Sequence, residues 1–341
     1  MRTPPSENVN PPYQTKLKVR LLRLSAMALS ATLGACAITP QPDQAEETSA
    51  DKRLEQAQQA TDSVFVELLA QAQTGNPIAQ DRIGVAYIQG RVVAKDFAVA
   101  QGWLERAAKQ GYAWSSFRLG FMFEDGIGTN KDLAKARRWY KRAAELGNTF
   151  AAFNLAQSYL TNAQPDNDPS AAAKWFEMAA SRGMAAAQLN LGNLYETGNG
   201  VPKNSATAAS WYQAGVDANH PASALALGLL YEKGEGIQQD VAKSKLLYEQ
   251  ALAGGDARAM QALGHLYEKG LGVVQNNTTA LLWYERSVEA GNWAAAGRLS
   301  TAYKLGQLGL AVDEAQEQHW YQKYLTLQTV NRSLGQSRKV N

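Results

Sequence analysis

The side chains that most often ligate metals or act as nucleophiles are scarce in this 341-residue chain, which has three histidines and one cysteine. His220, His265 and His319 lie far apart in the sequence, and no set of Cys, Asp or Glu residues accompanies them at metal-ligand spacing. No serine lies in a recognisable nucleophile motif. The sequence therefore predicts neither a metal site nor a cofactor, and we expect the protein not to be an enzyme.

Two recurrent patterns could bind ligands, and both have a simpler structural interpretation. A G-x-G sequence could cradle a phosphate, but phosphate loops follow a strand, whereas these glycines follow a helical pattern and recur along the chain, which favours turns. Evenly spaced tryptophans could stack on sugars, but their regular spacing opposite alanines favours packing in the core. The glycine pairs are Gly126 and Gly128, Gly198 and Gly200, Gly234 and Gly236, and Gly270 and Gly272, and the tryptophans are Trp103, Trp139, Trp175, Trp211 and Trp283.

Cys36 follows a segment that is typical of a secretion signal. A basic region ends at Arg23, and residues 24–35 carry no charge over a stretch too short for a membrane span of ~20 residues. We interpret residues 1–35 as a signal peptide. The sequence Leu-Gly-Ala-Cys that ends at Cys36 resembles the bacterial lipobox, which implies cleavage before this cysteine and its lipidation. A buried free cysteine, or cleavage by the general signal peptidase, remains the alternative.

The residues that follow Cys36 predict where the anchor would hold the protein. In bacterial lipoproteins an aspartate directly after the cysteine favours the inner membrane, and Ala37 stands there instead. This predicts an outer-membrane lipoprotein, with the periplasmic side favoured over the cell surface. Residues 36–50 are polar and contain prolines, so we expect a flexible tether. From Cys36 onward the chain has 29 basic and 30 acidic side chains, which argues against a nucleic-acid partner.

A repeat of 36 residues dominates the rest of the sequence. Segments such as "LGNLYETG" and "LGHLYEKG" align so that one small residue recurs without drift, and such a period is the signature of a solenoid. The recurring small residues are Gly84, Gly120, Ala156, Gly192, Gly228, Gly264 and Ser300.

Each repeat is predicted to contain two helices. Small, aliphatic and aromatic residues at offsets of four and eight, as in Ala187, Leu191 and Tyr195, share one face of the first helix. The small residue beside the leucine allows a neighbouring helix to approach closely. A glycine pair ends the first helix. The predicted N-caps of the second helices are Asp96, Asp132, Asp168, Asn204, Asp240 and Asn276.

These positions resemble the Sel-one-like repeat, a relative of the tetratricopeptide repeat, and "LGNLYETGNGVPKNSATAASWYQAG" is the copy most similar to the family pattern. The resemblance covers residues 75–326 in about seven repeats. It implies an all-α, right-handed α-solenoid of antiparallel helix pairs whose first helices line the concave side. Residues 51–74 are predicted to form an N-terminal capping helix, the last repeat a modified cap, and residues 327–341 a frayed C-terminal tail.

The variable positions of the first helices are the candidate binding residues. Spacings of three and seven place them on one helix face, which we expect to point into a concave groove. Amides in the middle repeats would suit the backbone of an extended peptide, and a merely solvated polar face is the alternative. The candidates are Arg118, Phe121, Asn154, Gln157, Asn190, Asn193 and His265.

Family members usually act as adaptors, and bacterial ones often serve envelope assembly. The resemblance therefore implies a lipid-anchored periplasmic scaffold that binds protein partners of an envelope machine for polysaccharide export, cell-wall synthesis or secretion. An envelope enzyme, a direct peptidoglycan or glycan binder, and a surface lipoprotein that contacts a host are the alternatives. The sequence names no partner and does not specify an oligomeric state.

Overall fold

The computed structural model describes residues 63–160 and 167–340, with side chains through residue 331. The predicted signal peptide with Cys36, the tether and the first part of the predicted cap lie outside these residues, as does the loop segment 161–166. Residues 63–340 belong to one structural unit.

Helices account for all the regular secondary structure in the described part of the chain, and each packs on the next. The predicted all-α solenoid of helix pairs is confirmed. Each repeat contributes a first helix (α2 to α14, even numbers) and a second helix (α3 to α15, odd numbers). The helices are α1 (63–73), α2 (Pro77–Gln89), α3 (Phe97–Lys109), α4 (Ala113–Asp125), α5 (Leu133–Glu145), α6 (Thr149–Tyr159), α7 (Pro169–Ser181), α8 (Ala185–Thr197), α9 (Ser205–Asp217), α10 (Pro221–Lys233), α11 (Val241–Ala253), α12 (Arg258–Lys269), α13 (Asn277–Glu289), α14 (Trp293–Leu305) and α15 (Glu314–Val340).

The predicted caps of the second helices are confirmed. In each of α3, α5, α7, α9, α11 and α13, the predicted Asp or Asn is the N-cap, and its side-chain oxygen accepts a hydrogen bond from a backbone N–H of the first turn. These bonds satisfy donors that a helix start leaves without intrahelical partners.

The first helices end where the glycine pairs predict. Gly198 ends α8 with φ of 73°, a left-handed conformation that suits a residue without a Cβ. At the junction after α9, where the glycine of other repeats is absent, Asn219 adopts φ of 56° instead. Asparagine tolerates this conformation better than most residues, which explains how this repeat keeps the same turn.

In most repeats the core lies between a small residue on the first helix and a ring on the second, and in the first repeat Leu104 takes the place of the ring. A Cβ on Gly120 would lie 2.5 Å from Cδ1 of Tyr140, and one on Gly228 would lie 2.6 Å from Cε1 of Tyr248. The predicted close approach at this glycine is therefore confirmed, because the ring occupies the space that a side chain would need. The tryptophans that precede these rings, such as Trp139, pack against the core but are only partly buried.

The two ends of the solenoid differ from its middle. At the N-terminal end, Phe65, Leu68 and Leu69 of α1 pack around Ala79 and Ile83 of α2, which is the arrangement of a second helix without its partner. At the C-terminal end, α15 has 27 residues and runs through Val340. The expected boundary at residue 326 falls inside this helix, so the expected C-terminal tail 327–341 is helical through residue 340.

Candidate partner-binding face

One face of the first helices presents side chains that the core does not use. We define the first-helix face as the residues at the second, sixth and ninth positions of each repeat, which share one helix surface because they are four and three residues apart. None of them is buried. They are Ile78, Arg82 and Val85; Trp114, Arg118 and Phe121; Phe150, Asn154 and Gln157; Ala186, Asn190 and Asn193; Ala222, Ala226 and Leu229; Arg258, Ala262 and His265; and Ala294, Arg298 and Thr301.

Arg118 connects two consecutive repeats. Its Nη1 lies 2.7 Å and 2.8 Å from the two carboxylate oxygens of Asp81, and Ser115 donates a further hydrogen bond to Oδ1. Burial raises the pKa of Asp81, and the charge of Arg118 opposes that rise. The guanidinium of Arg118 also lies over the ring of Trp114. This predicted site residue therefore holds α4 against α2.

An aromatic cluster occupies the face beside this ion pair. Trp114 lies 5.8 Å from Phe117 and from Phe150, measured between ring centroids. Phe121 is 44% exposed and Phe150 is 37% exposed. Exposed rings of this size on consecutive helices form the kind of surface that is enriched at protein interfaces.

The four predicted amides lie on two consecutive first helices, α6 and α8, as expected, but three of them form hydrogen bonds within the protein. Asn154 hydrogen-bonds to the phenol of Tyr140, and Asn190 donates to the backbone oxygen of Ala186. Asn193 lies 2.6 Å from the phenol of Tyr212.

Gln157 is the exposed amide of this set that carries none of those bonds. Fewer amides are therefore available to bind the backbone of a peptide than the sequence predicts, because three of the four already form hydrogen bonds within the protein.

The C-terminal repeats carry charged pairs between first helices. His265 Nδ1 lies 3.0 Å from Oε1 of Glu232, and this hydrogen bond raises the pKa of His265. That contribution to stability is therefore present below the ordinary histidine pKa and is lost as the pH rises through the raised value. Arg298 holds Glu268 through two contacts of 2.9 Å. Burial opposes ionisation of Glu268, but hydrogen bonds led by that of Arg298 lower its pKa to about 2.

Trp114 and Phe150 belong to this surface and were missed by sequence reasoning, which followed only the sixth and ninth positions of the first six repeats. Arg298 was missed because it lies in the seventh repeat, which was interpreted as a cap. Glu232 was missed because it lies outside the first-helix face, although it bonds to His265 on that face. The large rings at the second position of α4 and α6 were the available signal. The charged pairs had no local signal, because their members lie 30 or more residues apart.

A serine close to a histidine is the arrangement most similar to a catalytic pair in the described residues. The ring nitrogen Nδ1 of His220 lies 3.0 Å from Oγ of Ser223. Ser223 is fully buried at the start of α10, so its hydroxyl is closed to a substrate, and burial lowers the pKa of His220. His220 is the residue before α10 and Ser223 lies in the first turn of α10, so the contact is local to the start of this helix.

No three His, Cys, Asp or Glu side chains come together as a metal site within residues 63–160 and 167–331. In the described part of the chain, no helix combines the length and hydropathy needed to span a membrane.

The Sel1 repeat model matches six segments of the chain. The protein therefore belongs to the Sel1 repeat family, whose members are in general protein-interaction scaffolds rather than enzymes. The seventh helix pair, α14 and α15, packs in the same way but lies beyond the matched residues. The matched segments are 77–112, 115–148, 149–184, 185–220, 221–256 and 257–292.

The solved structures similar to this chain include a member of this family. A Sel1 repeat protein from Oxalobacter formigenes is 28% identical, with a TM-score of 0.63 over 72% of this chain and 96% of that one. A protective antigen of uropathogenic Escherichia coli, c5321, is 29% identical with a TM-score of 0.47, covering 77% of this chain and 64% of that one. The immunity protein Pa5087 from Pseudomonas aeruginosa is 23% identical, with a TM-score of 0.41 over 63% of this chain and 81% of that one. No curated protein matches the sequence significantly.

Proposed function

We propose that this protein is a lipid-anchored scaffold of the bacterial envelope that binds partner proteins through its first-helix face. The aromatic cluster of Trp114, Phe117 and Phe150, together with the exposed ring of Phe121 on the same helix face, is the observation that carries this proposal. The rings of Phe121 and Phe150 are exposed rather than buried in the core of their repeats, and both lie on the surface that consecutive first helices share. Burial of such rings against a partner supplies much of the energy of a protein interface.

The proposed anchor is Cys36, and the proposed location is the periplasmic face of the outer membrane. The short uncharged run before Cys36 and the lipobox resemblance support this assignment. Two or more acyl chains hold a protein stably, whereas one does so only marginally. An anchored scaffold would keep the partners of an envelope machine for polysaccharide export, cell-wall synthesis or secretion close to the membrane.

Site-specific photocrosslinking tests the binding face. A photoreactive phenylalanine analogue replaces Phe121 in one strain and Leu246 in another, because Leu246 is also exposed but lies on the second helix α11. We expect a discrete set of crosslinked proteins at position 121 that is absent at position 246. Equal capture at both positions, or crosslinks to glycan fragments alone, would contradict a protein-binding first-helix face.

Two variants at the predicted cleavage site test the anchor. Cys36→Ala is expected to abolish lipid labelling and release the protein from membranes, and Ala37→Asp is expected to retain the label but move the protein to the inner membrane. Membrane fractionation with radiolabelled palmitate reads out both variants. A Cys36→Ala protein that remains correctly processed and membrane-bound would refute the lipid anchor.

A further inference from the structure

A groove interrupts the first-helix face in the C-terminal repeats. At the sixth position of the repeat, most copies carry arginine or asparagine, but repeats five and six carry Ala226 and Ala262. A groove of about 700 Å³ lies between α10, α12 and α14, and Ala262 lines it. Leu229 and Trp293 contribute apolar surface to its walls and are 38% and 39% exposed.

The charged groups of this groove are arranged in two layers. Glu232 and Glu268 line the groove, and their side chains are only 11% and 8% exposed; Asp256, the ion-pair partner of Arg258, is 9% exposed. The phenols of Tyr248 and Tyr284 donate hydrogen bonds of 2.7 Å and 2.9 Å to the two glutamates and hold them inward.

Basic side chains lie above the carboxylates and reach solvent. Arg258 is 62% exposed, Lys269 is 55% exposed and His265 is 42% exposed, each within 3.0 Å of one of the buried acids. Arg298 is 22% exposed and completes the rim. The groove therefore presents cationic groups to an incoming ligand although its formal charges nearly balance, and it can attract acidic groups without leaving its own acids unpaired.

We propose that this groove binds an extended segment of a partner protein that carries an acidic residue next to a large apolar residue. The inference rests on the proposed scaffold function and specifies the partner's chemistry. The apolar side chain fills the space above Ala262, against Leu229 and Trp293, and the carboxylate meets Arg258, Lys269 or His265 at the rim. A carboxylate that approaches a guanidinium or ammonium group forms the stronger, charge-assisted class of hydrogen bond.

The test is selection of binders from a random peptide library on the purified full-length chain, followed by affinity measurement of the enriched peptides. We expect a motif with Asp or Glu within a few residues of Leu, Phe or Trp, and an affinity that falls as the salt concentration rises. An acidic glycan that displaces these peptides with higher affinity, enrichment of basic or neutral motifs, or no enriched motif would overturn the proposal.

Two variants assign the binding to this groove. Ala262→Asn fills the groove without a change of charge, and asparagine occupies the same repeat position at Asn154 and Asn190, so the helix accommodates it. We expect a loss of affinity of about tenfold. Lys269→Glu reverses an exposed charge, and its expected loss is similar at low salt. Unchanged melting temperatures establish that both variants are folded.

A matched control separates failure of this proposal from failure of the scaffold function. Leu246→Ala removes an exposed side chain of the second helix α11 that does not line the groove, and it is expected to leave the selected peptides bound as before. Peptides that lose affinity with Phe121→Ala but not with Ala262→Asn would place binding on the face while overturning the groove assignment. A chain that yields no binders and no crosslinks at position 121 would overturn both.

Discussion

The phenol of Tyr212 donates a hydrogen bond of 2.6 Å to Oε2 of Glu196, and so joins the second helix of a repeat to the end of its first helix. The same bond occurs sixteen residues apart in three other repeats, where the pairs are Tyr140 with Glu124, Tyr248 with Glu232 and Tyr284 with Glu268. In the third repeat both partners are apolar, since Leu160 and Phe176 occupy these positions. The paired replacement avoids a buried phenol or carboxylate without a partner, which is the costly case.

A double-mutant cycle measures this bond. Tyr212→Phe and Glu196→Gln are each expected to lower the free energy of unfolding by about 1 kcal/mol, because each weakens a partly buried hydrogen bond to a charged group. Together they should cost less than the sum of the two single changes. Chemical denaturation of the four proteins gives the coupling, and strict additivity would show that the two side chains stabilise the repeat independently.

Gly192→Ala is expected to destabilise the fourth repeat by about 1–3 kcal/mol. The added Cβ would overlap the ring of Tyr212, and this clash outweighs the helix propensity that alanine gains over glycine. Thermal unfolding is the measurement. Ala156→Gly is the matched control in the preceding repeat, and its cost should reflect the lost helix propensity, about 1 kcal/mol, together with the loss of a buried methyl group.

A chain that converts the whole arrangement to that of the third repeat should recover part of this loss. The triple variant Gly192→Ala, Glu196→Leu and Tyr212→Phe reproduces the side chains found there. We expect it to be more stable than Gly192→Ala alone, because the ring is no longer tied to the carboxylate and can shift away from the new Cβ. A triple variant less stable than the single one would contradict this explanation.

Glu268 is expected to make the stability of the fold sensitive to acid. Because its folded pKa is lowered to about 2, its contribution to stability is present above the ordinary pKa of 4.5 and is lost as the pH falls through the folded value. Glu268→Gln should reduce the free energy of unfolding at neutral pH by about 1–2 kcal/mol, with solvent screening at Arg298 limiting the effect. The difference from the wild type should shrink between pH 4.5 and 2 in denaturation measured across that range. A pH-independent difference would exclude this linkage.

Phe121 is expected to contribute to partner binding but little to the stability of the fold. Phe121→Ala should weaken capture of the crosslinked partners by about tenfold or more, since exposed rings at interfaces contribute strongly to affinity. The change in melting temperature should be small because the ring is 44% exposed. Leu246→Ala, on the second helix, is the control and should leave capture unchanged. A Phe121→Ala chain that captures partners normally would remove the cluster from the interface.

Replacing two amides of the same helix, Asn154 and Gln157, is expected to have different effects on stability. Asn154→Ala should lower stability, because its side chain bonds to Tyr140 in the core. Gln157→Ala should leave the melting temperature unchanged, because Gln157 is exposed. Thermal unfolding compares the two variants. A loss of partner capture in Gln157→Ala alone would identify an amide that acts on the partner rather than on the fold.

The repeat period was sufficient to predict the helix pairs, their caps and the close approach at residues such as Gly120. These features depend on contacts within a repeat or between adjacent repeats, so a position in one copy predicts the same position in the next. The long final helix was not predicted, because the last repeat departs from the pattern that the other repeats share.

The contacts of the candidate binding face were less predictable from the sequence than the helix pairs and their caps. The sequence alone determined that the sixth and ninth positions share a face, since helical periodicity requires it. Only the tertiary structure decided that Asn193 bonds to a tyrosine, that Arg118 holds Asp81 and that basic groups cover Glu232 and Glu268. These relationships depend on the distance between side chains of consecutive helices, and a repeat pattern specifies that such helices are neighbours without specifying which of their polar groups meet.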